Sequence, residues 1–69
     1  MTTEVGRLVA GAIGSALRQR ERDVRWLSAR SGIELGTLER VLAGERDVTV
    51  IELADIARAL GVPVARLTP

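Results

Sequence analysis

DVRWLSARSGIELGTLERVL, residues 23–42, is the stretch whose reading decides the fold. Val24, Leu27, Ser28 and Ser31 recur at helical spacing, and after an interruption so do Leu35, Leu38, Val41 and Leu42. Residues three and four apart line one face of an α-helix. Between the two runs stand Gly32 and Ile33. A helix that must stop and turn sharply needs a residue with φ > 0, which glycine adopts without a Cβ clash; Ile33 follows as an apolar plug. Two short helices joined by a tight glycine-containing turn, crossing steeply, form a helix-turn-helix, here over about 23–42, with Asp23 as the N-cap of its first helix.

Upstream, Val5, Leu8, Val9, Ala12, Ile13, Ala16 and Leu17 repeat at i, i+3, i+4, i+7 from Glu4 to about Arg20, the strongest amphipathic pattern in the chain. Thr2 or Thr3 is expected to cap it. Gly6, Gly11 and Gly14 each cost such a helix roughly 1 kcal/mol relative to Ala; their expected use is close approach of another helix, or else of a second chain. The start of this helix either covers its own core or offers a dimer surface. Downstream, Gly44 ends the third helix and Gly44-Glu45-Arg46-Asp47 forms a loop. Thr49-Val50-Ile51-Glu52 is a capping box that opens a fourth helix, with Gly61 as its stop. Pro63 suits the first position of a short fifth helix ending near Leu67. Val62, Val64 and Leu67 either close the core or make a dimer contact.

The 69 residues make one domain, 1–69, that buries little surface. With no Cys, neither a disulfide nor a thiolate metal site can support it. One Trp, no Phe and no Tyr argue against a sheet. No apolar run approaches membrane-spanning length and no signal-peptide layout opens the chain. The expectation is a cytoplasmic, soluble, all-α protein: a compact bundle of four to five helices. With no His, Cys, Tyr or Lys, no Gly-rich phosphate loop and no metal cluster, neither enzyme activity nor a cofactor is expected.

Net charge is only +1, but its layout is uneven. Arg18, Arg20, Arg22, Arg25 and Arg30 crowd the end of the first helix and the second helix, against Glu21 and Asp23. A local basic face can grip phosphate on a nearly neutral protein, although the same pattern also describes a solvated Arg/Glu surface. Arg22 and Arg25 on that face are candidate DNA-backbone contacts. Arg46 is placed to reach a phosphate, or is a surface residue held by Glu45 or Asp47. Trp26 falls beside Leu27, where its ring caps the core edge or its indole N–H supports a backbone contact. The third helix, about Leu35–Leu42, is the one to enter a major groove. Arg40 can pair bidentately with guanine, Thr37 can bond a phosphate or a base edge, and Leu35 can meet a thymine methyl. Gly36 lets the backbone come close. These four are the candidate base-reading residues, while Glu34 and Glu39 are unfavourable near phosphate.

The run SGIELGTLERVLAGERDVTVIELADIARALGV, residues 31–62, resembles the helix-turn-helix domain of the lambda-repressor-like (Cro/C1, XRE) transcription regulators. The similarity extends from about Ile13 to Leu67. It is carried by the Gly-Ile turn, Thr-Leu-x-Arg, the glycine after it, and the closing Ile-Ala-x-Ala-Leu-Gly-Val. The resemblance implies a four- or five-helix bundle binding operator DNA as a dimer, with the third helix in the major groove. It assigns Leu35, Gly36, Thr37 and Arg40 to base reading, and Arg25 and Arg46 to the backbone. The chain departs from the pattern at Val24, where many members carry a phosphate-binding Gln, and at Glu34, which replaces a Ser or Thr cap. It departs again at Leu35 and Gly36, which replace polar readers, and at Leu42, which replaces a Glu that pairs with the first helix. Two functions follow as expectations. One is a sequence-specific double-stranded-DNA-binding transcriptional regulator, such as a phage or prophage repressor or Cro-like protein. The other is a helix-turn-helix scaffold used as a protein-binding regulatory or antitoxin-like subunit.

Overall fold

A computed structural model of the chain describes residues 3–69. Thr3 opens α1, Glu4–Gln19, and its hydroxyl accepts the Gly6 N–H at 2.9 Å. That satisfies one of the amide donors that every helix start leaves without an intrahelical partner. Thr2, the other expected cap, lies outside the described residues. Val9, Ala10, Ile13, Ala16 and Leu17 are buried. This stripe is rotated from the expected one. α1 packs against α3, Leu35–Leu42, which draws Ala10 inward and leaves Val5 and Leu8, both expected on the core face, 55% exposed.

The end of α1 carries a feature the sequence reading missed. Arg22 N–H bonds to Leu17 O at 2.9 Å and Glu21 N–H to Arg18 O at 3.1 Å, the paired bonds of a Schellman stop. The left-handed position of that motif is held by Glu21, with φ 53°, where the corresponding stop of α4 uses Gly61. Just before it, Arg20 reaches across the fold. Its Nε donates to Leu60 O at 3.1 Å and its Nη1 to Ala16 O at 3.2 Å, tying the ends of α1 and α4 together.

α2 spans Val24–Ser31. Asp23 caps it as expected, accepting the Trp26 N–H at 2.9 Å, and Gly32 ends it at φ 77°. The turn into α3 is held by two serines of α2. Ser28 Oγ donates to Ile33 O at 2.6 Å, and Ser31 Oγ, buried, accepts the Ile33 N–H at 3.2 Å. Both backbone groups of Ile33 are thereby satisfied while its side chain packs on the core. α4, Val50–Leu60, starts at the expected capping box: Thr49 Oγ1 accepts the Glu52 N–H at 3.1 Å, and Glu52 Oε1 accepts the Thr49 N–H at 2.9 Å. The fifth helix is a single 3-10 turn, Val64–Arg66, and Pro63 precedes it as its cap instead of being its first residue.

The largest fully enclosed side chains are Ile13, Leu27, Leu38, Ile56 and Leu67. One comes from each helix in turn and the last follows the 3-10 turn, each contributing about 1.5–3 kcal/mol through burial. Leu67 is therefore a core residue of its own chain, 2% exposed, and not the dimer contact that its near-terminal position allowed.

The glycines of α1 also differ from expectation: none admits another helix. At Gly6 it is the Asp47 carboxylate that comes close, so an added Cβ would collide with it; at Gly11 nothing lies within 4 Å. Gly11→Ala is expected to raise stability by about 1 kcal/mol, and Gly6→Ala to gain less, because the Asp47 carboxylate must swing aside to admit the new methyl group. Thermal melts followed by circular dichroism check both, and equal shifts for the two would contradict the packing. In the same assay Glu21→Gly is expected to stabilise by about 1 kcal/mol, because a left-handed residue bearing a Cβ is strained by that order.

Candidate nucleic-acid interface

α3 buries Leu38 and Val41 and turns its opposite side outward. At 100° per residue, Gly36, Glu39, Arg40 and Ala43 form that outer crest; Glu39, Arg40 and Ala43 are not buried. Side chains on a helix lean toward its N-terminus, and Arg40 does so. A Cβ built on Gly36 would lie 3.9 Å from an Arg40 guanidinium nitrogen and 3.5 Å from Glu34 Oε1. The guanidinium thus hangs over bare backbone, with a carboxylate beside it. Leu35 and Thr37 fall on opposite flanks of this crest. The four expected base-reading residues therefore do not share one line: Gly36 and Arg40 form the ridge, and Leu35 and Thr37 are its shoulders. Glu34 makes no side-chain cap, so it leaves the first-turn amides of α3 without a side-chain acceptor.

The expected backbone contacts separate in the same way. Arg25 is exposed on α2. Arg22 instead lies over the indole of Trp26, 5.3 Å from the ring centroid, and Arg30 lies 5.6 Å from it, where the ring quadrupole attracts a cation. Trp26 itself is half-buried, its ring packed against the edge of the core. Arg46 is not a free cation. It forms a two-pronged pair with Glu52, Nη1–Oε1 at 3.0 Å and Nη2–Oε2 at 3.1 Å, and donates to Asp47 O at 3.3 Å. The sequence offered Glu45 or Asp47 as its holder; the carboxylate is that of Glu52, which also serves the capping box. No periodicity rule pairs a loop residue with one six positions on, so only the fold could reveal it. Val62, half-buried, packs on the core, while Val64 is 41% exposed.

Hydrogen bonding from Arg46, with smaller help from Thr49, outweighs burial and holds the Glu52 carboxyl below the usual carboxylate range; Glu52 in turn raises Arg46.

No protein-family model matches the sequence, and no curated protein is similar to it. Solved structures are similar. The restriction-modification controller protein C.AhdI from Aeromonas hydrophila superposes with a TM-score of 0.85 over 90% of this chain and 94% of its own, at 18% identity. The clp gene regulator ClgR from C. glutamicum gives 0.86 over 94% of this chain and 84% of its own, at 25% identity. The fold is that of a lambda-repressor-like helix-turn-helix domain. In this lambda-repressor-like frame α2 and α3 are the helix-turn-helix pair, and the Arg46–Glu52 pair braces the loop that joins α3 to α4.

The pH dependence of that brace has a definite sign. Because the folded-state pKa of Glu52 is depressed, its contribution is present above the ordinary carboxylate pKa and is lost as pH falls through the folded value. Glu52→Gln is expected to lower the melting temperature at neutral pH and to make the decline on acidification shallower. Melts across roughly pH 7 to 3 check this; parallel curves for parent and variant would contradict it.

Proposed function

We propose that the chain is a sequence-specific regulator of transcription that binds double-stranded operator DNA, with α3 laid in the major groove. The observation that carries this reading is the outward crest of α3. It is a solvent-facing ridge whose bare Gly36 lets backbone approach DNA and whose exposed Arg40 has no ion-pair partner among the described residues. A guanidinium with no ion-pair partner can fork onto guanine O6 and N7 by swinging away from the neighbouring Glu34 carboxylate. The exposed Arg25 and the uncapped amides of α3 are the groups to which we assign phosphate contacts. Support also comes from the structural neighbours, which are a controller protein and a gene regulator. Leu35 and Thr37 act at the shoulders, toward a thymine methyl and a phosphate or base edge. We assign the backbone role to Arg25 before Arg46, whose guanidinium is paired with Glu52, and before Arg22, which lies over the Trp26 ring. The regulator acts in the cytoplasm as a homodimer, as a phage or prophage repressor or Cro-like protein does. No helix among the described residues is long and apolar enough to cross a membrane.

One observation favours a second reading, a protein-binding regulatory or antitoxin-like subunit. Val50 and Ile51 are 85% and 76% exposed at the start of α4, more apolar surface than capping alone requires. Glu39 on the crest and Glu34 beside it would also suit a basic protein partner.

Gel-shift titration against a library of genomic fragments separates the two. Arg40→Ala is expected to relax sequence preference and to cost about 1–3 kcal/mol on the preferred site. Arg25→Ala should weaken all sequences alike and lower the salt slope by about one. Unchanged binding in both variants, or stable capture of a protein partner with no retention on DNA at low salt, refutes the DNA assignment.

A further inference from the structure

On the flank of α2 turned away from α3 lies a cleft of about 430 Å³, lined by Trp26, four arginines (Arg20, Arg22, Arg30 and Arg58) and the C-terminal end of α4. Ser28, two residues from Trp26 and Arg30, bonds the turn into α3; residues two apart on a helix point about 200° from each other. Trp26 and Arg30, four apart, share the side away from that turn. A duplex seated on α3 would leave this cleft uncovered.

The four guanidinium groups are not equivalent. Arg20 is spent on the carbonyls of Leu60 and Ala16. Arg58 pairs with Asp55 at 2.9 Å and remains 72% exposed. Arg22 and Arg30 lie over the Trp26 ring and have no carboxylate partner among the described residues. The nearby acids are engaged or exposed: Asp23 accepts the Trp26 N–H, Asp55 holds Arg58, and Glu21 is exposed at the turn. A guanidinium resting on an aromatic face keeps its N–H edge free, in a planar fork that matches phosphate oxygens. The volume falls in the range of small-molecule sites, roughly 300–1,000 Å³. Cations gathered in one concavity with no carboxylate among its lining residues repel one another until an anion enters.

We propose that this cleft binds a small, multiply charged phosphate compound, a polyphosphate or phosphate ester, held between the indole-stacked Arg22 and Arg30 with Arg58 at the rim. The ligand would occupy the protein independently of DNA on α3, as an effector does.

Trp26 is the only aromatic residue of the chain, so its fluorescence reports this cleft alone. Inorganic pyrophosphate, titrated at constant ionic strength against sodium chloride, is expected to give a saturable change with one site per chain. Arg22→Ala and Arg30→Ala are each expected to raise the midpoint at least about tenfold, since a charge-assisted hydrogen bond to phosphate contributes of that order. Arg66→Ala, exposed on the 3-10 turn and outside the cleft, is expected to leave it unchanged. Calorimetry repeats the midpoints without relying on the indole, and circular dichroism checks that each variant is folded. A change that never saturates, or midpoints unmoved in both cleft variants, overturns the proposal. A saturating mixed-sequence duplex distinguishes the source of phosphate. Pyrophosphate binding unaltered by the duplex supports a small-molecule site, whereas competition makes the cleft a DNA-backbone contact and overturns it. If no duplex binds at all, saturable pyrophosphate binding still supports the site, because it does not depend on the DNA reading.

Discussion

The peptide group of Ile33 is the point on which the geometry of this domain turns. A helix can end and another begin within three residues only if the backbone polar groups in between find partners, since an unpaired buried group costs about 1–3 kcal/mol. Here Ser28 and Ser31 supply both partners from α2 itself. Ser31 does so from a buried position and Ser28 from a half-buried one, so both backbone groups of Ile33 are satisfied within the protein. With Ile33 anchored, the side chain of that residue plugs the core and α3 leaves at a fixed angle. Every statement about which side of α3 meets solvent follows from that angle.

The sequence reading was strongest where one local rule acted alone. Asp23, Gly32, Thr49 with Glu52, and Gly61 each do what their type predicts, and the limits of α2 and α3 emerge as the apolar spacing indicates. It was weakest where a residue had to choose among partners brought together only by folding. The Arg46 guanidinium, with Glu45 and Asp47 beside it in sequence, takes Glu52. The amphipathic stripe of α1 is rotated because α3, not the helical wheel, decides which flank is covered. Gly6 serves an aspartate side chain, a close approach that composition cannot announce. Glu21 occupies a left-handed position for which no glycine was there to give warning. For the candidate site, the crest residues Gly36 and Arg40 were legible from spacing, whereas the engagement of Arg22 with Trp26 was not.

All the basic charge of the chain is arginine, and the fold divides it by task. Arg20 ties helix ends through backbone carbonyls, Arg46 braces a loop through a carboxylate, and Arg22 and Arg30 cover the indole. A planar fork with five donors suits each of these uses, and a lysine ammonium would serve none of them equally. The consequence is that net charge near zero conceals strong local differences. Arg25 and Arg40, with no structural duty, remain open to the phosphates and bases of DNA, while Arg22 and Arg30 keep their N–H edges free over the indole.

The five enclosed side chains, drawn one apiece from successive parts of the chain, make the domain indivisible. Remove any segment and the other four face a void lined by their own methyl groups, a loss comparable to the whole stability of so small a unit. Unfolding should therefore be all-or-none, with the end of the chain giving way together with its middle. The helix-turn-helix of this protein is not a portable module: excised as a peptide, it would keep its hydrogen-bonded turn on paper and lose the scaffold that orients it.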